Sequence, residues 1–205
     1  MAQARKAVQR PKGELQVSDD PHPWASDLRQ LYSQVWLRLV RGVADRHAPA
    51  RHPTLATVTP EGLPHARTVV LRHADAGSGT LHVHTDLHSA KVAELLATPF
   101  AALHVWDRSA HLQIRVEADV TIASGEDVAD IWARVPQSSR AAYGGTPSPG
   151  SPIVDSLDYT PGADPDRFAV LRFRVVALDV LHLVTNHRRA RFERSSEWKG
   201  EWLAP

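Results

Sequence analysis

From position 112 to 122 apolar and polar residues alternate without a break. Leu112, Ile114, Val116, Ala118, Val120 and Ile122 are interleaved with Gln113, Arg115, Glu117, Asp119 and Thr121. A helix would scatter these two sets around its circumference. An extended strand, whose side chains leave opposite faces with period two, sorts them cleanly. The segment therefore predicts a long strand with one dry and one wet face, the pattern of an antiparallel sheet packed on a single core.

The rest of the chain divides into pieces that suit such a sheet. β-rich runs occupy 54–59, 66–72, 81–85 and 100–106, separated in part by the turn Pro60-Glu61-Gly62 and the glycine-rich stretch 74–79. Residues 167–183 return to strand, partly as a continuous apolar run suited to burial on both faces. Leu28, Leu31, Tyr32, Val35, Trp36, Leu39 and Val40 follow helical spacing, with Ser26 as the expected N-cap and Gly42 near the end. A short helix is expected at 88–97, with Val92, Leu95 and Leu96 on one face and Pro99 beyond its end. A third follows the capping signal Ser124-Gly125-Glu126-Asp127, turns Val128, Ile131, Trp132 and Val135 inward, and stops at Pro136. Residues 144–166 are so rich in Gly, Pro, Ser and Asp that they read as a long loop. The expected class is mainly β (α+β): a small six-stranded antiparallel barrel with covering helices. Residues 24–205 form one domain, preceded by a polar arm at 1–23 that Pro11, Gly13, Pro21 and Pro23 keep irregular.

Charge and cysteine content exclude several chemistries. With 24 Lys and Arg against 23 Asp and Glu, the net charge is +1 and there is no field to gather nucleic acid. Cysteine is absent, which removes disulfides, iron–sulfur clusters, thiolate zinc sites and thiol nucleophiles, so redox chemistry must come from a bound cofactor. The first 30 residues have no apolar signal core and no stretch approaches a membrane span, so a cytoplasmic protein without a membrane partner is expected. Neither a G-x-S-x-G elbow nor a carboxylate pair marks a hydrolase.

Three constellations carry possible chemistry. Arg67 and Arg72, followed by Thr85, Ser89 and Lys91, set cationic and hydroxyl groups where a strand gives way to a helix N-terminus, an arrangement suited to a phosphate; the same residues also suit an ordinary solvated surface. His82 and His84 share one face of a strand near Asp86, but no further ligand completes a metal triad, and no metal is expected. His187-Arg188-Arg189-Ala190-Arg191 lacks interleaved aromatics and reads as a solvated edge or a clamp for one small anion. The apolar segment 198–205 is expected to dock.

In order, these segments resemble the pyridoxamine 5'-phosphate oxidase family of FMN-binding split barrels, over about 50–140 and 167–205. Arg67-Thr-Val-Val-Leu-Arg72 is similar to the family's R-x-V-L-L-K, His84-Thr-Asp-Leu-His-Ser-Ala-Lys91 to its Y-T-N-x-x-S-R-K, and Gln113-Ile-Arg-Val-Glu117 to its R-Q-V-R-x-E-G strand. Gln137-Ser138, Arg191-Phe192 and Trp202-Leu-Ala-Pro205 resemble its Q-S, D-R-F and closing W-x-x-R-L-x-P. The resemblance implies that Arg67, Thr85, Ser89 and Lys91 hold the FMN phosphate, with His84 beside them. It further implies that the backbone of Val69, Val70, Leu71 and Arg72 lies along the flavin and that Gln113 meets the ribityl chain or ring edge. Gln137, Ser138 and Arg191 would come from the second subunit of a homodimer. Six tryptophans and an apolar C-terminal segment, more than a barrel of this length hides alone, also point to a homodimer.

The departures are as specific as the matches. Ala90 stands where the family has a phosphate-binding Arg, Arg72 where it has Lys, Leu181 where the oxidase has a Trp over the flavin, and His187-Arg188-Arg189 where it has its R-L-H substrate triplet. The cofactor site looks kept and the vitamin site does not. The expectation is an FMN-dependent oxidoreductase acting on a small molecule other than pyridoxamine phosphate, no catalytic side chain being assigned. The alternatives are a non-enzymatic flavin- or haem-binding protein on the same barrel and, from another class, a basic-edged nucleic-acid binder, which would show steeply salt-dependent affinity.

Overall fold

A computed structural model describes residues 21–205, so all but the last three residues of the expected arm lie outside it. The strands are β1 (Thr54–Val58), β2 (Pro64–Thr68), β3 (Leu71–Asp75), β4 (Thr80–Asp86), β5 (Phe100–Asp107), β6 (Leu112–Ser124), β7 (Ala142–Tyr143), β8 (Gly162–Ala163), β9 (Phe168–His182), β10 (Arg188–Glu193) and β11 (Gly200–Leu203). Nine of them form one antiparallel sheet, and β7 and β8 make a small parallel pair. The alternation in β6 holds through Val120: Leu112, Ile114, Val116, Ala118 and Val120 are buried in the core with the intervening residues more exposed, whereas Ile122 is only partly buried and Ala123 is covered by the second cluster.

Nine strands rather than six arise for two reasons. The single strand expected at 66–72 breaks at Val69-Val70: the Val69 N–H donates to the Pro53 carbonyl (3.0 Å) as the last rung of the β1–β2 ladder, and Pro53, having no N–H, cannot return the bond. The basic cluster and the C-terminal tail become β10 and β11, whose pairing to each other and to β9 docks the tail.

The sheet runs β11-β10-β9-β6-β5-β1-β2, and β9 is its fork. One edge of β9 pairs with β6 along most of its length; the other pairs with β4 over 168–174 and with β10 over 177–182. A bulge between Glu117 and Ala118 lies at the level of the fork, and a bulge bends and twists its strand. Arg194 pins the divergence, its Nε donating to Val175 O (2.7 Å) and its Nη2 to Ser78 O and Gly79 O (2.8 and 3.0 Å). Gly79 is at φ +64°, and a Cβ there would meet that guanidinium at 2.3 Å. The barrel is split and not closed: β3 follows β2 after two residues, yet the two do not pair.

Four α-helices cover the sheet: α1 (Leu28–Ala44), α2 (Ala90–Ala97), α3 (Ala129–Arg134) and α4 (Gln137–Arg140). The N-cap of α1 is Asp27, whose carboxylate accepts from Gln30 N (2.9 Å), and not Ser26, which lies in a preceding 3-10 turn. Leu31, Val35, Trp36 and Leu39 bury the inner stripe of α1. Of the face expected after residue 124, Val128 and Val135 are buried; Ile131 and Trp132 pack partly covered against Phe168 and Tyr143 in a second cluster. The stretch 144–166 is largely irregular, as expected, although it contains β8 and a bridge between Thr146 and Thr160. Among the described residues, no helix is long and apolar enough to cross a membrane.

Candidate functional site

The end of β4 and the start of α2 create a compact polar pocket. Thr85 is the penultimate residue of β4, and Ser89 is the N-cap of α2. Their hydroxyls are 3.0 Å apart, and the Lys91 Nζ donates to Thr85 Oγ1 at 3.1 Å. Thr85 and Ser89 are buried. Lys91 makes no ion pair among the described residues, and its ammonium is held below the usual lysine range by burial and then by the like charge of Arg67, against the pull of Asp86 and Glu94. A partly desolvated cation resting on a neutral hydroxyl beside a helix N-terminus is a site short of one anion. These residues fit a terminal phosphate.

Arg67 reaches this region from β2 by way of a partner that sequence reasoning missed. Its Nη2 donates to Glu94 Oε2 (2.7 Å) and its Nη1 to the Thr57 hydroxyl. Glu94 is 4 % exposed and also takes Thr57 and His65, whose Nδ1 lies 2.6 Å from Oε1. Burial pushes the Glu94 carboxyl up, but hydrogen bonds from Thr57, His65 and Arg67 outweigh it and hold the group ionised. The only signal in sequence was a glutamate between apolar residues of a short helix, Val92 and Leu95, which a solvated position imitates equally well.

Asp86 holds the base of the pocket. Its carboxylate accepts two bonds from the Arg167 Nη2 (2.9 and 3.0 Å), one from the Arg167 Nε (3.2 Å), one from the Gly144 N–H (2.8 Å) and one from the His88 N–H (2.8 Å). It therefore ties the turn before α2 to both ends of the 144–166 segment and is committed to that role rather than to His84.

The remaining candidates fall elsewhere. Val69 is buried and Val70 half-buried at the β2–β3 break; Leu71 is buried and Arg72 half-buried at the start of β3. His84 lies against Phe168, rings 5.0 Å apart, and His82 stacks on His73 at 4.5 Å. Among the described residues, no three His, Asp or Glu side chains converge on a metal position. Gln137 and Ser138 are exposed on α4. Gln113 pairs with Leu181, and Arg191 with Asp179, in the far half of β9; Thr85 pairs with Ala169 near its start. Ten residues of strand, about 33 Å at ~3.3 Å per residue, separate Arg191 from the level of the phosphate pocket. Arg191 is gripped by Glu117 (2.9 and 3.1 Å) and Glu193 (2.8 Å), which raise its pKa further, and Arg189 by Asp179 (2.8 and 3.1 Å). The basic cluster is thus an ion-paired strand and not a free edge.

His82 and His84 make stability depend on pH. Burial, then the like charge of His73 and Arg172, lowers His82 to about 4; burial, then Arg72 and His82, lowers His84 to about 4. Both rings are neutral in the fold at pH 7. Between the ordinary value of 6.5 and about 4 the unfolded chain binds protons that the folded one refuses, so stability falls as pH drops through that window. The urea midpoint is expected to decline there, and His82→Gln or His84→Gln to flatten the decline. The half-exposure of both rings keeps each effect below the full ~1.4 kcal/mol per pKa unit. Identical slopes in wild type and variants would contradict this account.

The sequence model described as pyridoxamine 5'-phosphate oxidase, FMN-binding domain, matches residues 22–124, which carry α1, α2 and β1 to β6. The chain belongs to this family. A pyridoxine/pyridoxamine 5'-phosphate oxidase from Microcystis aeruginosa is 37% identical over 123 residues, 60% of this chain and 55% of that protein. One from Azorhizobium caulinodans is 30% identical over 180 residues, 82% of this chain and 78% of that protein. The chain spans about half the length of the curated relatives it matches over this region. Among solved structures, a pyridoxamine 5'-phosphate oxidase-related, FMN binding protein from Nostoc punctiforme superposes with a TM-score of 0.68 at 27% identity, covering 84% of this chain and 96% of that one. PhzG from Burkholderia lata shares the fold, with a TM-score of 0.64 at 21% identity over 93% and 96% of the two chains. The split-barrel expectation and the family resemblance both hold.

Proposed function

We propose that the protein is an FMN-dependent oxidoreductase that works as a homodimer on a small molecule other than pyridoxamine 5'-phosphate. The observation that carries the cofactor is Lys91, a half-buried ammonium that donates to the Thr85 hydroxyl and makes no ion pair among the described residues, set in the family's FMN-binding domain. FMN, when bound, supplies two-electron redox chemistry, and the protein's own groups bind and orient it. Thr85, Ser89 and Lys91 take the phosphate; Glu94 and Thr57 fix the guanidinium of Arg67 so that its remaining N–H groups face the same anion.

The dimer rests on separation and exposure. Arg191 lies too far along the sheet to serve the phosphate pocket of its own chain, which supports its coming, with Gln137 and Ser138, from a second copy; Gln113 is left to the ribityl chain or ring edge. Of the six tryptophans, four are wholly or partly covered; Trp106 and Trp202 remain 41% and 46% exposed, and Phe100 and Leu96 are also open. Sedimentation is expected to give a dimer at micromolar concentration; a monomer with flavin bound would overturn this part.

The cofactor is tested by titration. Lys91→Ala and Arg67→Ala are each expected to weaken FMN by about 1–3 kcal/mol, roughly 5- to 150-fold, through loss of a charge-assisted hydrogen bond. Ala90→Arg is expected to tighten it. Unchanged curves for both alanine variants would remove these residues from the site. A flavin spectrum that a reductant bleaches and air restores supports the oxidoreductase; haem absorption instead would transfer the chain to the carrier reading.

A further inference from the structure

A cleft of about 540 Å³ opens along β3, β4 and α3. His84 precedes Thr85 on β4, so the two side chains leave opposite faces of the strand, and the cleft lies on the face away from the phosphate pocket. Its charged lining is Arg51, Arg72, His73, His82, His84 and Arg134, and no acidic side chain joins them. Such a concentration of one sign inside a concave wall focuses an attractive field for anions.

Several of these groups are short of partners. The Arg72 Nε is buried with no hydrogen bond. Arg51 is moored by one nitrogen only, Nη1, to the carbonyls of Val43 (2.8 Å), Leu71 (3.3 Å) and Gly42 (3.5 Å), which leaves its other N–H groups for the cleft. Burial and then the nearby Arg72 push the Arg51 pKa down, the mark of two guanidiniums held together without a counter-ion. Arg134 makes no ion pair and donates no side-chain hydrogen bond among the described residues. Several other arginines of this chain are matched with carboxylates: Arg167 with Asp86, Arg189 with Asp179, Arg191 with Glu117.

We propose that this cleft binds a small organic dianion with two separate anionic groups, a short dicarboxylate being the simplest case, with one group on the Arg51–Arg72 pair and the other on Arg134. As a dianion site it stands on these residues alone; as the substrate site of the flavin reaction it rests on the reading above. The histidines give binding a second signature. Burial first, and then nearby like charge, keeps His82 and His84 neutral; a bound anion offsets the second of these and favours protonation of both rings. The other charged or titratable groups acting on these rings are His73 and Arg72 from β3 and Arg172 from β9; Tyr143 from β7 contacts Arg72. Asp75, which feels His73, is engaged by Gly77 and Ser78.

Isothermal titration of the full-length protein as purified, at pH 6 in two buffers of different ionisation enthalpy, tests this. Succinate and glutarate are the dianions, acetate and inorganic phosphate the controls, and flavin is read separately by absorbance. At least one dicarboxylate is expected to bind ten-fold or more tighter than acetate and phosphate, with proton uptake. Arg134→Gln, on an exposed helix end, should abolish that preference without altering flavin absorbance, and His82→Gln should reduce the uptake. Flat titrations with flavin bound, a dicarboxylate no better than acetate, phosphate binding as tightly as either dicarboxylate, or a preference indifferent to Arg134→Gln would each overturn the inference. A protein that shows the preference but never takes up flavin would instead overturn the cofactor reading and leave this site standing.

Discussion

Asp86→Ala is expected to destabilise the protein by about 3–5 kcal/mol, the cost typical of breaking a buried ion pair by deleting one partner. Asp86 is 4 % exposed, and its five accepted bonds are all charge-assisted. Alanine leaves the Arg167 guanidinium, itself mostly covered, without its counter-ion, and leaves the N–H groups of Gly144 and His88 without their acceptor. Asp86→Asn keeps an acceptor for the amides while discarding the charge, so it should fall between wild type and alanine. Because the same carboxylate shapes the turn that presents Ser89 and Lys91, FMN affinity should drop together with stability. Urea unfolding at pH 7 measures the first effect and FMN titration the second. A stability loss below 1 kcal/mol would mean that the Arg167 contact is already offset by solvent.

Pyridoxamine 5'-phosphate is expected to turn over several orders of magnitude more slowly than the roughly 1–10³ s⁻¹ ordinary for enzymes. A site that recognises a substrate by paired polar groups loses about 1–3 kcal/mol for each charged partner left unpaired, and two or three such losses multiply. Here the positions of the R-L-H triplet are His187, Arg188 and Arg189. The last is held by Asp179 through two bonds, and a side chain so fixed cannot also turn to a substrate without breaking a buried pair. Leu181 offers no aromatic surface at the position of the oxidase's tryptophan. Steady-state assays with pyridoxamine and pyridoxine 5'-phosphates decide the point, and turnover at ordinary rates with either would sink it.

The two expectations draw on different levels of the molecule. The second was legible in the sequence, since it depends on which residue types occupy a motif. The first was not: Asp86 and Arg167 are 81 residues apart, and nothing local to either predicts that they meet. The same holds for Glu94, whose surroundings in sequence suggest a solvated helix face and whose surroundings in space are Thr57, His65 and Arg67 from two other strands.

What the chain determines by itself is periodic and local. The alternation in β6 dictated a half-buried strand, the apolar spacing of α1 dictated an amphipathic helix, and Pro99 and Pro136 marked where short helices stop, because side-chain direction and backbone sterics act within a few residues. The cluster Thr85, Ser89, Lys91 was visible for the same reason: all its members lie within seven residues. Tertiary structure alone decided how many strands there are, since the run of good β-formers at Val69-Val70 breaks where its pairing partner is Pro53, which has no N–H to extend the ladder. It also decided that β10 is an ion-paired strand and that Arg51, Arg72 and Arg134 line one cleft. Pairing, burial and charge compensation between distant segments are set by register and close packing of the whole sheet, and those quantities exist only once the chain has folded.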